Sequence, residues 1–330
     1  MVERLVTSSL PLDEVGRLAA WVALFTRRGD VFLLHGDLGA GKTEFSRALI
    51  RSLTGDVRLE VSSPTFPLLQ VYETKRFRVS HFDLYRLKGD DLDEIGLEDA
   101  LRAGIAIVEW PDRAPFFQPA TRLEIAIEDG ASEVERRLTL EAFGGWRDRL
   151  ARMREAMHFA RRHGGGSASP SYLQGDASTR AYARLRVAGR PLVLMDSPRQ
   201  PDGPPVRDGL PYSRIARLAE NVRPFVAIGT WLRAQGVSAP EIVAHDLERG
   251  FLLLEDLGDR VYGREVAAGL AHQKELWLAA VDVLLHLRRM PVPEVLPLPD
   301  GSGHALASFD RAALEIEVEL LLDWFWPAVK

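Results

Sequence analysis

The chain contains no cysteine. That excludes a disulfide framework, a thiolate metal site and a cysteine nucleophile, and it suits a reducing compartment. Long apolar runs are also missing, so no membrane-spanning helix is expected. Met1 is followed by Glu3, Arg4 and the polar Thr7-Ser8-Ser9 stretch, which lacks the apolar region of a signal peptide. The expected location is therefore the cytoplasm, with no membrane partner. Basic charge is not in surplus: 42 Lys and Arg stand against 47 Asp and Glu, a formal net charge of -5. Broad nucleic-acid surfaces are usually basic, so DNA binding is not expected and any RNA would be held mostly by a partner. The eight histidines form no metal-binding cluster in the sequence, which leaves Mg²⁺ as the expected metal.

What is present fits a soluble globular protein, with 46% hydrophobic and 27% charged residues. At 330 residues the chain exceeds one typical core, so two domains are expected. Leu12 to Arg28 carries Leu12, Val15, Leu18, Ala19 and Val22 at helical spacing, with Asp13 and Glu14 near its start. Val31 to Leu34 is an apolar run that ends in a glycine-rich turn, and Glu44 to Leu53 is helical in pattern. Strands are expected at Leu68–Tyr72, Phe77–Asp83 and Ile105–Val108, with a helix between Asp91 and Arg102. Leu123 to Glu128 alternates strictly, and Arg137 to Leu140 follows Asp129-Gly130, which suggests a closing strand pair. Residues 1–150 thus read as an α/β domain. Trp146 to Arg162 is a basic helical stretch, and Gly164 to Pro170 is the clearest flexible linker, so residues 151–170 are expected to join the domains. Beyond it, Ala183–Val187 and Pro191–Met195 are strand-like, and helix is expected to dominate after Tyr212.

Gly36-Asp37-Leu38-Gly39-Ala40-Gly41-Lys42-Thr43 fits G-x-x-x-x-G-K-[ST], the Walker A pattern, between a strand and a helix as that pattern requires. Its glycines let successive backbone N–H groups turn inward on a triphosphate, and the following helix adds partial positive charge at the same point. Lys42 is expected to reach the β- and γ-phosphates of ATP, and the Thr43 hydroxyl to ligate Mg²⁺.

Asp83 ends the His81-Phe82-Asp83-Leu84-Tyr85-Arg86-Leu87 strand segment, where a P-loop enzyme needs a carboxylate for its metal. An aspartate at a strand end also caps turns. Glu109 has the same placement after Ile105–Val108, at the strand end where α/β sheets put ligand groups, and is a candidate to orient water. Ser63-Pro64-Thr65 would present a hydroxyl to the γ-phosphate or simply form a turn. Trp110-Pro111 reads equally as a site residue or a packed aromatic, and His81 as a packed strand residue.

Taken in order, Gly36–Thr43, Ser63-Pro64-Thr65-Phe66, His81–Leu87, Glu94-Ile95-Gly96-Leu97-Glu98 and Val108-Glu109-Trp110-Pro111 resemble the TsaE family over residues 1–150. The resemblance implies a P-loop NTPase domain with a mixed sheet that hydrolyses ATP. Its partners would be the TsaB and TsaD proteins, which place threonylcarbamoyl on an adenosine of tRNA, so tRNA enters only through that complex. Lys42, Thr43, Asp83 and Glu109 inherit nucleotide and Mg²⁺ roles from the family motifs, with Thr43, Asp83 and Glu109 on the metal, and Thr65 inherits a γ-phosphate-side role. One departure is Glu133-Val134-Glu135-Arg136-Arg137, where the family often shows a Gly-Arg pair.

Gln174 to Arg180, Leu192–Asp196, Pro224-Phe225, Gly236–Ile242 and Gly250–Gly258 resemble the aminoglycoside-phosphotransferase-like sugar kinases, nearest the bacterial cell-wall amino-sugar kinases. For residues 171–330 that implies an α+β, protein-kinase-like small lobe and the start of a large lobe, with adenine at Leu252–Leu257. No H-x-D-x-x-x-x-N loop follows Glu255, and Met195 stands where many kinases place lysine. The expectation is a truncated, inactive lobe with exposed apolar residues around Leu320–Trp326. Two alternatives stay open for the first domain: a P-loop small-molecule kinase with Asp83 or Glu109 facing an acceptor hydroxyl, and a nucleotide-dependent binding module completed by a partner.

Overall fold

The computed structural model describes residues 3–87, 96–173 and 180–329. The start of the helix expected from Asp91, the Glu94-Ile95 pair and residues 174–179 lie outside them. Packing divides the chain into two compact units, Met1–Gln174 with Tyr182–Pro191, and Gly175–Ala181 with Leu192–Lys330.

In the first unit, β1 (Glu3–Val6) and β2 (Leu10–Pro11) lead into α1 (Leu12–Phe25), whose Val15, Leu18, Ala19 and Val22 are buried as the spacing requires. Next comes β3 (Val31–His35), with Val31 to Leu34 fully buried, followed by the glycine loop and α2 (Lys42–Thr54). The strands β4 (Leu69–Glu73) and β5 (Arg78–Asp83), the helix α3 (Leu97–Ala103) and β6 (Gly104–Glu109) follow. The hairpin β7 (Arg122–Asp129) and β8 (Glu135–Phe143) closes the sheet.

The strand order is β1-β8-β7-β3-β6-β5-β4, with β2 also on β8. β7, β3, β6 and β5 run parallel, while β4, β8 and β1 are antiparallel to their neighbours. The sheet is therefore mixed, as expected. The apolar run Val31–Leu34 of β3 makes sense at its centre, since a parallel strand covered by helices has no wet face.

Helix α4 (Trp146–Ala160) buries Trp146, Leu150, Met153, Ala156 and Phe159 and packs on α1, β1 and β8. Trp146 meets Phe32 edge to face, with ring centres 5.6 Å apart. Arg149 forks onto Asp30 at 2.6 and 2.7 Å, both side chains nearly buried. Ala168, inside the glycine-serine stretch, is buried and bonds back to Gly165. Beyond it β9 (Ser171–Leu173) pairs with β10 (Ala181–Val187) and packs on α1 and α2.

The second unit is built on β11 (Arg190–Asp196), with β12 (Pro205–Arg207), β13 (Leu210–Pro211), α5 (Tyr212–Ile215) and α6 (Arg223–Ala234) after it. The strands β14 (Ile242–Asp246) and β15 (Phe251–Glu255) form a hairpin whose second arm pairs with β11, so that Met195 lies opposite Leu252. Helices α7 (Tyr262–Ala267) and α8 (Gln273–Arg288), the hairpin β16 (Val295–Pro297) and β17 (Gly303–Ala305), and helices α9 (Arg311–Leu320) and α10 (Trp326–Val329) complete it. Helix is the prevailing element after Tyr212, as the sequence suggests, and the apolar run Phe251–Glu255 is a strand where the kinase resemblance implies one. Leu321, Leu322, Trp324, Phe325 and Trp326 are each more than half exposed.

Candidate functional site

The loop between β3 and α2 turns through glycines at positive φ: 146° at Gly36, 83° at Gly39 and 103° at Gly41. A Cβ on Gly36 would lie 2.5 Å from the Ile127 carbonyl oxygen, so no larger residue fits between the loop and β7. Lys42 opens α2 and is only 5% exposed. Its Nζ donates to the carbonyls of Gly36 at 2.7 Å and Asp37 at 2.8 Å, and lies 3.7 Å from the centre of the Trp110 ring. Burial pushes the Lys42 ammonium below its usual pKa, while Glu109, Asp83 and Asp37 pull it back up.

Asp83 and Glu109 are register partners at the C-terminal ends of β5 and β6, and both are almost fully buried. Glu109 Oε2 accepts from Thr43 Oγ1 at 2.9 Å, which ties the second acid directly to the loop. Its Oε1 faces Ser46 Oγ at 3.1 Å and His81 Nε2 at 2.8 Å. Asp83 Oδ2 accepts from Ser63 Oγ at 2.6 Å and Thr65 Oγ1 at 2.7 Å. Its Oδ1 accepts from the Tyr85 N–H at 3.0 Å. Asp83 therefore caps the following turn, one of the two sequence readings of this residue, and also gathers the Ser63-Pro64-Thr65 segment.

Of the residues singled out in the sequence, Gly36 to Thr43, Thr65, Asp83 and Glu109 form one connected site. Trp110 joins it as well: its ring covers Lys42 and packs on Tyr85, with centres 4.9 Å apart. Two contributors are not evident from the sequence. His81 is a fully buried partner of Glu109 rather than a mere packing residue. Arg136 donates Nε to the Ala40 carbonyl at 2.8 Å and Nη1 to the Glu133 and Glu135 carbonyls, bracing the loop from β8. A weak signal existed in the Arg136-Arg137 pair, although nothing in the spacing selects one of the two.

On the β7 side of the loop a cavity of 320 Å³ is lined by His35, Asp37, Leu38, Ala126 and Glu128, a volume typical of small-ligand sites. Among the described residues no three His, Asp or Glu side chains converge as a metal cage. Thr43, Asp83 and Glu109 offer one hydroxyl and two carboxylates, a set that fits Mg²⁺ sharing its shell with phosphate and water rather than a caged ion. No helix of the described residues is long and apolar enough to cross a membrane.

Comparisons with known proteins separate the same two parts. The family model for the threonylcarbamoyl adenosine biosynthesis protein TsaE matches residues 11–138, and that of the phosphotransferase enzyme family matches residues 169–326. The tRNA threonylcarbamoyladenosine biosynthesis protein TsaE of Bacillus subtilis is 36% identical over 133 residues, 40% of this chain and 82% of the relative. The N-acetylmuramate/N-acetylglucosamine kinase of Caulobacter vibrioides is 40% identical over 175 residues, 50% of this chain. The chain spans 48% of that kinase, about half its length. The crystal structure of Bacillus subtilis YdiB is 31% identical, covering 46% of this chain and 93% of its own, at a TM-score of 0.38.

Proposed function

Since the chain belongs to the TsaE family through residues 11–138, we propose that its first unit is the ATPase component of tRNA N6-threonylcarbamoyladenosine biosynthesis, hydrolysing ATP in support of a TsaB–TsaD complex in the cytoplasm. One observation carries this: Thr43 of the phosphate loop is hydrogen-bonded to Glu109, and Asp83 stands in register beside it. Backbone N–H groups of Gly36–Thr43 bind the phosphates, and Lys42 neutralises their charge. Thr43, Asp83 and Glu109 would hold Mg²⁺ and its water shell, and Thr65 would face the γ-phosphate side. Mg²⁺ held there would supply charge neutralisation to the phosphates. Glu109 orients the attacking water and accepts its proton. Any tRNA is engaged through the partner proteins.

The test is ATP turnover by the full chain, with and without TsaB and TsaD, for the wild type, Lys42→Ala and Glu109→Ala. Both variants are expected to lose turnover, and unchanged turnover in both overturns the proposal.

A bifunctional protein that also phosphorylates a cell-wall amino sugar is the second reading, favoured by the phosphotransferase match and by the Caulobacter kinase. We assign no phosphotransfer to this chain itself, because after Glu255 it carries no H-x-D-x-x-x-x-N segment and Met195 stands where many kinases carry lysine. Transfer of phosphate from ATP to N-acetylmuramate by this chain would reverse that assignment.

A further inference from the structure

We propose that His81 is a positioning residue for hydrolysis: its Nε2–H pins Oε1 of Glu109, so that Oε2 is the oxygen left to serve the nucleotide site. This rests on the hydrolase function proposed above and deepens it.

Among the described residues Glu109 is the one hydrogen-bonding partner of the His81 side chain. The two side chains are 0% and 2% exposed and meet at 2.8 Å between neighbouring parallel strands. A carboxylate only accepts, so the proton between them sits on Nε2. Among the described residues nothing reaches Nδ1, which is buried without a hydrogen bond. A leucine or phenylalanine would fill such a site without that desolvation cost. The polar ring is thus unfavourable for packing alone, and its contact with Glu109 is what offsets it.

The donors on Glu109 are not equivalent. Ser46 has a single hydroxyl proton and two acceptors in reach, the Lys42 carbonyl at 3.0 Å and Glu109 Oε1 at 3.1 Å. Among the described residues Thr43 is the only donor on Oε2, and its hydroxyl belongs to the phosphate loop, where the motif gives it a second role. Among the described residues the His81 ring, like the Thr43 hydroxyl, reaches no acceptor other than Glu109, and of the three donors it alone lies outside the phosphate loop and its helix. It comes from the sheet, whereas Ser46 and Thr43 both come from α2. The terminal torsion of a glutamate is soft, so hydroxyls from one helix leave the plane of the carboxylate loosely held. The imidazole, reaching it from the sheet, holds that plane from a second direction.

The experiment measures kcat and KM for ATP with the full chain, together with affinity for a non-hydrolysable ATP analogue, in His81→Leu, His81→Asn and His81→Gln. Leu removes the donor, Asn carries one too short to reach Oε1, and Gln restores one near the position of Nε2. Leu and Asn are expected to lower kcat by about 10- to 100-fold, as lost outer-shell partners do. KM and analogue affinity should stay within about threefold of the wild type, the pattern of a contact that matters only in the transition state. Gln should recover most of the loss. Wild-type kcat in Leu or Asn overturns the proposal, as does a Gln variant no better than Leu, or affinity falling in parallel with kcat. If Leu does not fold, the comparison of Asn with Gln decides. Absence of turnover in the wild type refutes hydrolysis itself, which is a separate outcome.

Discussion

The Trp110 ring and the Lys42 ammonium lie 3.7 Å apart, and Trp110 takes a left-handed backbone at φ 61° to bring them together. A tryptophan in that conformation is strained, so the contact is held against a local cost. A partly desolvated cation over an indole gains about 1–2 kcal/mol. Trp110→Ala is expected to weaken ATP binding by roughly tenfold through loss of that hold on the lysine. Trp110→Phe should lose less. Equilibrium titration with ATP checks both, and unaltered affinity in Trp110→Ala would show that the ring merely packs.

Lys42 also sets a pH dependence. Its folded-state pKa lies below the ordinary 10.5, chiefly through burial. Between that lowered value and 10.5 the unfolded chain binds more protons at this position than the folded one. The lysine therefore penalises the fold while charged, and the penalty disappears as pH rises through the folded pKa. The stability of the wild type relative to Lys42→Met is expected to increase with pH toward 10.5, as read by urea midpoints. ATP affinity should fall over the same range, at lower pH than an ordinary exposed lysine would give.

Arg149 and Asp30 fix α4 to the turn before β3. Breaking one side of a buried, forked ion pair leaves an uncompensated charge and typically costs about 3–5 kcal/mol. Arg149→Met should destabilise the first unit by that amount, because among the described residues Asp30 then keeps as hydrogen-bond donor only the Arg27 N–H at 2.7 Å, with Arg76 acting on it through its charge alone. Asp30→Leu combined with Arg149→Met should cost less than the sum of the single changes. Chemical denaturation of the four proteins tests the coupling.

Arg136 acts on the loop backbone, and its hydrogen bonds and ion pair go to Ala40, Glu133, Glu135 and Asp129 rather than to Asp83 or Glu109. Arg136→Ala is expected to raise KM for ATP by about tenfold, the scale of one charged hydrogen bond, with little change in kcat. A fall in kcat at constant KM would instead place the guanidinium in the chemistry.

How much of this is legible in sequence depends on range along the chain. Gly36 to Thr43 are consecutive, so their motif carries its own geometry. Asp83 and Glu109 are legible as strand ends, because an apolar run followed by one acid marks the edge where ligand groups gather. That they stand side by side depends on β5 and β6 being neighbours, and no local pattern gives that order. His81 is invisible for the same reason: its role exists only through a residue 28 positions away. Arg136 reaches Ala40 across 96 positions, because the β7–β8 hairpin folds back beside β3. Charge and period place Arg136 on a strand and say nothing about which loop it braces.

The chain's lack of thiols acquires a use at the Asp83 carboxylate. Ser63 and Thr65 share one oxygen of that acid, so the short stretch between them is fastened at both ends to a single atom. Phe66 comes immediately after the second fastening and is 81% exposed. A cysteine substituted there would be the sole site for a maleimide dye or spin label, and its spectrum would follow whether Asp83 keeps hold of the stretch or releases it.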